Sequence, residues 1–426
     1  MNKRILFVGF SALSAAVVGA APEVSNVVMT QDADRNVVVT YDLAGEDAIV
    51  TLSVETNGVP LAEGEVANLS GDVNKVVAMG TGKRIAWEAV RSWPNHKVDN
   101  ARARVTAWSK SAPPRYVVFD MTRGMAATAA NPWPMTFYTS AETVPGGITN
   151  RRYKTTHLIL RRVDPTDDLG FVMGSHSSEA GYSSTFEMRH NVRITKPYYL
   201  GVYEFTEGQR NLLNGDAIST GSAYPATGMR WQLLHGTCYT WPYDASVDTA
   251  SATQAKFLIN LRNYSGGFLF DLPTDAQWEY ACRAGTTGAF NDGTEFLEST
   301  ATDSRLDELG LYKGNLGDRT GPAEVGSFKP NAWGFYDMHG NVREWVFDRR
   351  GPMTNADAVD PYESNATQQS WDRIVRGGSW GDEAWYCRSG SRALAFYTTY
   401  NAAENGLTEA RRPFVGFRIA AQVEVP

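Results

Sequence analysis

The sequence predicts an α+β protein in two parts: an N-terminal β-sandwich of immunoglobulin or fibronectin type over residues 22–110 and a larger, loop-rich mixed domain over 153–423. A linker or extension is expected between them, over 111–152. Three observations lead there. Residues from about 23 to 110 carry period-two alternation broken by turn signals. From Tyr153 onward, short β-like runs alternate with a few capped helices and long polar connections. The composition joins 39 Gly to 12% aromatic residues, which suits aromatic packing strung on many tight turns. At 426 residues the chain exceeds one small domain. Its 42% apolar and 20% charged content excludes the disordered and collagenous classes. A formal net charge of −7 argues against a general affinity for nucleic acid or anionic lipid. Only Cys238, Cys282 and Cys387 supply thiols, too few for a disulfide framework and a tight limit on any thiolate metal site.

The chain opens Met1-Asn2-Lys3-Arg4, runs apolar from Ile5 to Phe10, and continues through small residues to Val18-Gly19-Ala20. That pattern reads as a secretory signal peptide over residues 1–20, and the expected location is secreted or periplasmic. An uncleaved anchor is the other reading. The short length and the Ala/Ser/Gly-rich second half favour cleavage.

In the first domain, Val50, Leu52 and Val54 alternate with Thr51, Ser53 and Glu55, and Ala103, Val105 and Ala107 alternate with Arg102, Arg104 and Thr106. Asn36 to Tyr41 is a β-branched run, and Asn57-Gly58 and Gly80-Thr81-Gly82 mark turns. Nothing catalytic stands here, and His96, between Asn95 and Lys97, reads as a surface-loop residue. A spacer or adhesion role follows. Ser109 to Pro114 reads as a linker by composition, with a looser Ala/Pro/Gly-rich stretch after it.

In the second domain, Thr206 and Gln209 form a capping-box pattern that opens a short helix ending at Gly215. A second helix places Ala255, Leu258 and Leu261 on one face and stops at Gly266-Gly267. The third has Thr274 and Gln277 as its box, Trp278, Ala281 and Cys282 at i, i+3 and i+4, and a stop at Gly285.

Six segments stand in one order: Phe171-Val-Met-Gly-Ser175, Tyr198 to Thr206, Leu272 to Tyr280, Asn331 to Trp345, Arg376-Gly-Gly-Ser-Trp380 and Gly416-Phe-Arg418. The succession resembles the sulfatase-modifying-factor, or formylglycine-generating-enzyme, domain family over residues 153–422. The resemblance implies a C-type-lectin-related fold with little regular secondary structure. Fold alone does not carry function.

The resemblance also implies a chemistry that can be tested residue by residue. Formylglycine-generating members oxidise a sulfatase cysteine with O₂ on Cu(I), held by two cysteine thiolates four residues apart, just after the Gly-Gly-Ser-aromatic motif. Here Asp382 stands at the first position, and a hard carboxylate cannot replace the soft thiolate that Cu(I) selects. Ungapped counting puts Cys387 at the second. The sequel Arg388-Ser-Gly-Ser-Arg392 resembles instead the part of the family that carries a structural cysteine, bonded to one in the helix after Leu-Pro-Thr. The resemblance therefore implies a Cys282–Cys387 disulfide, stabilising by about 4 kcal/mol, and leaves Cys238 unpaired. Other relatives hold iron through histidines. His96, His157, His176, His190, His235 and His339 show no metal-ligand spacing, although His176 and His190 flank a Ser/Glu-rich loop and could meet in space. Copper and iron are thus not supported.

One constellation survives. Asp337 and Glu344 lie seven residues apart around Gly340, and hard oxygen donors suit Ca²⁺. By resemblance the ligands of one structural calcium ion are Asp337, Gly340, Val342 and Glu344; the alternative is that Asp337 caps a turn and Glu344 pairs with Arg343, Arg376 or Arg418. The family's second calcium segment is not recognisable in Asn315 to Val325. Arg343 replaces an aromatic residue that borders the family's active-site groove. The expectation is an exported binding or accessory module whose groove, formed by Ser379, Trp380, Asp382, Trp385, Tyr386 and Arg343, takes a protein, peptide or glycan. The alternative is a formylglycine-generating-type oxidase with a divergent, copper- or iron-dependent site.

Overall fold

Alternation builds the N-terminal region. The computed structural model describes residues 20–422 apart from 62–64, 67, 97–99, 129–130, 215–221, 230, 232–233, 235–256, 266–267, 295–301, 350–354, 363–372, 396–398, 402–405 and 409–412. Strand Val37–Ala44 buries Val37, Val39, Tyr41 and Leu43 on one face. Strand Ala48–Thr56 does the same with Val50, Leu52 and Val54. The first lies in an antiparallel sheet with Glu23–Gln31, Gly80–Trp87 and Leu69–Gly71. The second pairs with Val59–Pro60, Val76–Val77 and Ala101–Ser109. Both sheets feed one apolar cluster, completed by Ile85, Trp87 and Val105. Asn57 and Gly58 adopt φ 52° and 76°, the mirror-image turn whose twist matches the strands it joins. His96 stacks on Trp93 with ring centroids 4.2 Å apart.

The stretch expected to link the domains belongs instead to the C-terminal one. Tyr116–Asp120 and Met135–Tyr138 are two strands of a six-stranded antiparallel sheet. It continues through His157–Val163, Tyr198–Gly201, Ala420–Gln422 and Phe270–Asp271. Tyr116, Val117, Val118 and Phe119 are all buried, so this strand is covered on both faces and shows no alternation to read. Ile49, Val76 and Trp108 of the N-terminal sheets pack on the same core cluster as Phe119, which seats one region on the other.

A second sheet runs Ala393–Ala395, Arg373–Arg376, Arg343–Arg349 and Val415–Phe417. The last strand lies parallel to Arg343–Trp345, and three residues later the chain enters the six-stranded sheet as Ala420–Gln422. Gly416-Phe-Arg418 is therefore the stitch between the two sheets. Three helices match their signals: Glu207–Asn214, Phe257–Tyr264 with Leu258 and Leu261 buried, and Asp275–Arg283 with a complete Thr274/Gln277 capping box. Ala284 rather than Gly285 takes the left-handed cap, at φ 46°. Ala255 lies outside the described residues. No helix among the described residues is long and apolar enough to cross a membrane, and the expected signal peptide falls almost wholly outside them.

Candidate functional site

The conserved-looking segments converge on buried charge. Arg418, fully buried at the stitch between sheets, donates from Nε and Nη2 to the two oxygens of Glu344, at 2.8 and 2.6 Å. It also donates to the carbonyls of Gly201 and Tyr336, at 2.8 and 2.9 Å. Trp278 Nε1 donates to Glu344 at 2.8 Å. Glu344 therefore serves a guanidinium and an indole, the pairing with Arg418 that stood as the alternative to a calcium role. Beside it, Glu204 accepts from Asn341 Nδ2 at 2.6 Å and from the Val342 amide at 3.0 Å. Asp337 accepts the Gly326 amide at 2.6 Å through Oδ2, while its buried Oδ1 has no hydrogen-bond partner. Burial, reinforced by Asp337 and Glu344, pushes the Glu204 carboxyl well above its ordinary range. Burial likewise raises Asp337 to about 6. Gly340, at φ 97°, lets the chain turn between these groups; a Cβ there would fall 2.2 Å from the Leu311 carbonyl oxygen.

A second buried network explains the Arg376 and Glu279 motifs. Arg376 pairs with Asp275 at 2.6 Å and with Glu279, and Arg283 pairs with Glu279 at 2.8 Å. Arg392 reaches Asp275 at 2.7 Å. Deep pairs of this kind are expensive to break one-sidedly, because the surviving charge stays desolvated.

The groove opens next to these networks, with a volume of about 800 Å³. Arg343, Trp385 and Tyr386 line it together with Tyr182 and Phe186. The Trp385 and Tyr386 rings lie 3.7 Å apart between centroids, and the Arg343 guanidinium sits 5.6 Å from the Tyr386 ring. Asp382 and Ser379 are not among the lining residues. Asp382 holds Arg343 through Nε at 2.7 Å and through Nη2, and accepts the Ser379 hydroxyl at 2.6 Å. They set the position of Arg343 from behind. Trp380 is also not among the lining residues and packs on Phe414 instead, with centroids 4.6 Å apart.

The residue that sequence reasoning missed is Arg388. Fully buried, it donates to Ser175, Glu179 and Glu187 at 2.9 Å each, and to the Gly181 and Trp385 carbonyls at 2.9 and 3.0 Å. It thereby clips the 176–187 loop onto the groove. Apart from Trp385, its partners lie 201 to 213 positions away, so no local pattern announces it. A second cavity, of about 760 Å³, lies where the N-terminal sheets meet the Tyr116–Asp120 strand and contains none of the expected site residues.

The cysteine expectation is corrected. Cys282 and Cys387 are buried free thiols with no disulfide between them. His339 stands between them: its Nε2 lies 3.8 Å from Cys282 Sγ, and its Nδ1 is 2.7 Å from the Cys387 carbonyl oxygen. The Asn291 amide donates to Nε2 at 3.0 Å, so the ring is neutral with its proton on Nδ1. Burial holds His339 down to about 4 and pushes the Cys282 thiol up to about 12; Cys387 is raised as well, again by burial. Neither thiol has the lowered pKa of a reactive thiolate. Gly378, at φ 70°, makes room for Cys387, whose Sγ would lie 2.5 Å from a Cβ there. Cys238 and His235 lie outside the described residues. His176 and His190 make local contacts with Ser178 and the Met188 carbonyl. Among the described residues, no three His, Cys, Asp or Glu side chains converge so as to hold a metal ion.

Fold and site define a sheet-rich mixed domain with few helices, knitted by buried arginines around an aromatic groove. Residues 170–423 match the sulfatase-modifying factor enzyme 1-like domain, and the chain belongs to that family. Among named relatives, the formylglycine-generating enzyme of Mus musculus is 28% identical over 153 residues, covering 35% of this chain and 38% of that protein. The chaperone protein LppX of Paenibacillus barcinonensis is 27% identical over 248 residues, covering 50% and 79%. The matched part thus spans well under half of the mouse enzyme. Among solved structures, Treponema denticola variable protein 1 aligns at TM-score 0.45 and 21% identity, over 63% of this chain and 96% of that one. PvdO from Pseudomonas aeruginosa aligns at 0.45 and 23%, over 62% and 94%.

Proposed function

We propose that this protein is an exported binding or accessory module in which a formylglycine-generating-type domain has kept the family's fold and lost its oxidation. The observation that carries the reading is Asp382. Where the parent chemistry needs the first thiolate, a carboxylate is bound to Arg343 and Ser379. The remaining thiol, Cys387, is buried and held protonated. A lone hard carboxylate beside a protonated thiol gives Cu(I) no soft pair. An accessory role has a parallel in the chaperone-named relative, whose match covers 79% of its length. The two N-terminal sheets fit an immunoglobulin- or fibronectin-like spacer, and the C-terminal part fits a C-type-lectin-related scaffold presenting a peptide, protein or glycan ligand to the groove. The oxidase alternative draws on the preserved motif order, including Arg376-Gly-Gly-Ser379. Metal analysis with O₂ uptake separates the two readings. The binding reading expects no stoichiometric copper or iron and an unmodified Cys-x-Pro-x-Arg peptide after incubation with copper and thiol. Peptide oxidation would overturn it. Export is tested by the N-terminus of protein recovered outside the cytoplasm, expected at Ala21.

We also propose one structural calcium ion. Asp337 Oδ1 is buried without a partner, and the three carboxylates Glu204, Asp337 and Glu344 face two cations, Arg418 and Lys154, so the cluster has more carboxylate than counter-charge. Asp337 with the carbonyls of Gly340 and Val342 would hold the ion, Glu344 remaining with Arg418. The ion would supply charge balance, not chemistry.

A further inference from the structure

The charge state of the groove narrows its ligand, on the premise that the groove is a binding site. Three charged side chains line it among the described residues, and each already has an opposite charge beside it from within the domain. Glu187 receives Arg388 at 2.9 and 3.1 Å. Arg343 is held by Asp382. Arg392 lies 2.7 Å from Asp275 and donates to the Phe186 carbonyl at 3.2 Å. An incoming carboxylate or ammonium would therefore meet no uncompensated charge, and displacing Asp382, Arg388 or Asp275 to gain one would strand a desolvated partner.

What the groove still offers is neutral. The rings of Tyr182, Phe186, Trp385 and Tyr386 are partly exposed, and Ser183 and Ser184 line the groove beside Tyr182. Apolar ring surface beside hydroxyl groups suits a ligand with apolar C–H faces and many hydroxyls of its own. The volume, about 800 Å³, falls in the range of ligand clefts. We propose that this groove binds a neutral oligosaccharide.

The test uses the whole protein and a panel of immobilised neutral oligosaccharides, their sulfated and sialylated counterparts, and neutral and arginine-containing peptides. Binding is expected to neutral saccharides, with a dissociation constant nearly constant up to about 0.5 M salt. Trp385→Ala should weaken it by about tenfold or more. Because Trp385 packs on Gly181, Tyr182→Ala serves as the second variant, with thermal unfolding as the check on folding. Preference for charged ligands with steep salt dependence overturns the assignment. So does capture of neutral peptides with no saccharide bound, although the groove then remains a binding site. Ligand binding that neither variant changes, or no binding by any ligand in the panel, removes both the assignment and the groove reading beneath it.

Discussion

The N-terminal sheets and the C-terminal domain are stabilised in different ways. The first is a core of Val, Ile, Leu and Trp presented by strands that alternate in sequence. The second places Arg376, Arg388 and Arg418 among its largest fully buried side chains, each tied to carboxylates or carbonyls from distant segments. An aliphatic core tolerates small changes in proportion to the methyl groups removed. A buried ion network fails abruptly, because removing one partner leaves the other charged and desolvated.

The largest effect should come from Arg418→Met. It strands Glu344 beside Glu204 and Asp337 and should cost about 3–5 kcal/mol of the C-terminal domain's stability in urea titrations. Adding Glu344→Gln should recover part of that loss; no recovery would show that Arg418 acts by packing alone. Next is calcium removal. Chelation, or Asp337→Ala, should lower the C-terminal melting temperature by an amount corresponding to about 3 kcal/mol when calcium stands near a hundred times its dissociation constant. An unchanged melting curve in chelator would remove the ion from this account. Ile85→Val, in the aliphatic core, should cost only about 0.5–1.5 kcal/mol. If it rivals Arg418→Met, the contrast between the two regions is wrong. The smallest expected effect is none: at pH 8 in the native state a thiol reagent should label neither Cys282 nor Cys387, since burial keeps both protonated. Both should react after unfolding without reductant. Labelling that requires reductant would restore the disulfide.

Local signals carried much of the fold. Alternation at 50–54 foretold a buried face, the β-branched run from Asn36 to Tyr41 foretold a strand, and Thr274 with Gln277 foretold the capped start of the Asp275–Arg283 helix. The Tyr116–Asp120 strand escaped notice because burial on both faces removes the period and the surrounding Pro, Ala and Gly resemble a connection. At the candidate site, the family resemblance pointed to Arg343, Trp385 and Tyr386, and all three line the groove. It did not separate those from Asp382, Ser379 and Trp380, which lie close to Trp385 and Tyr386 in sequence but are not lining groups.

By itself, the sequence determined the family, the strand-rich character of the N-terminal region and the absence of the thiolate pair, because these depend on residue identity and short-range period. The tertiary structure decided which carboxylate meets which arginine, that His339 stands between Cys282 and Cys387, and that Arg388 fastens the 176–187 loop to the groove. Those outcomes are set by long-range pairing of desolvated charge, and no spacing along the chain encodes which partner lies near once the chain has closed.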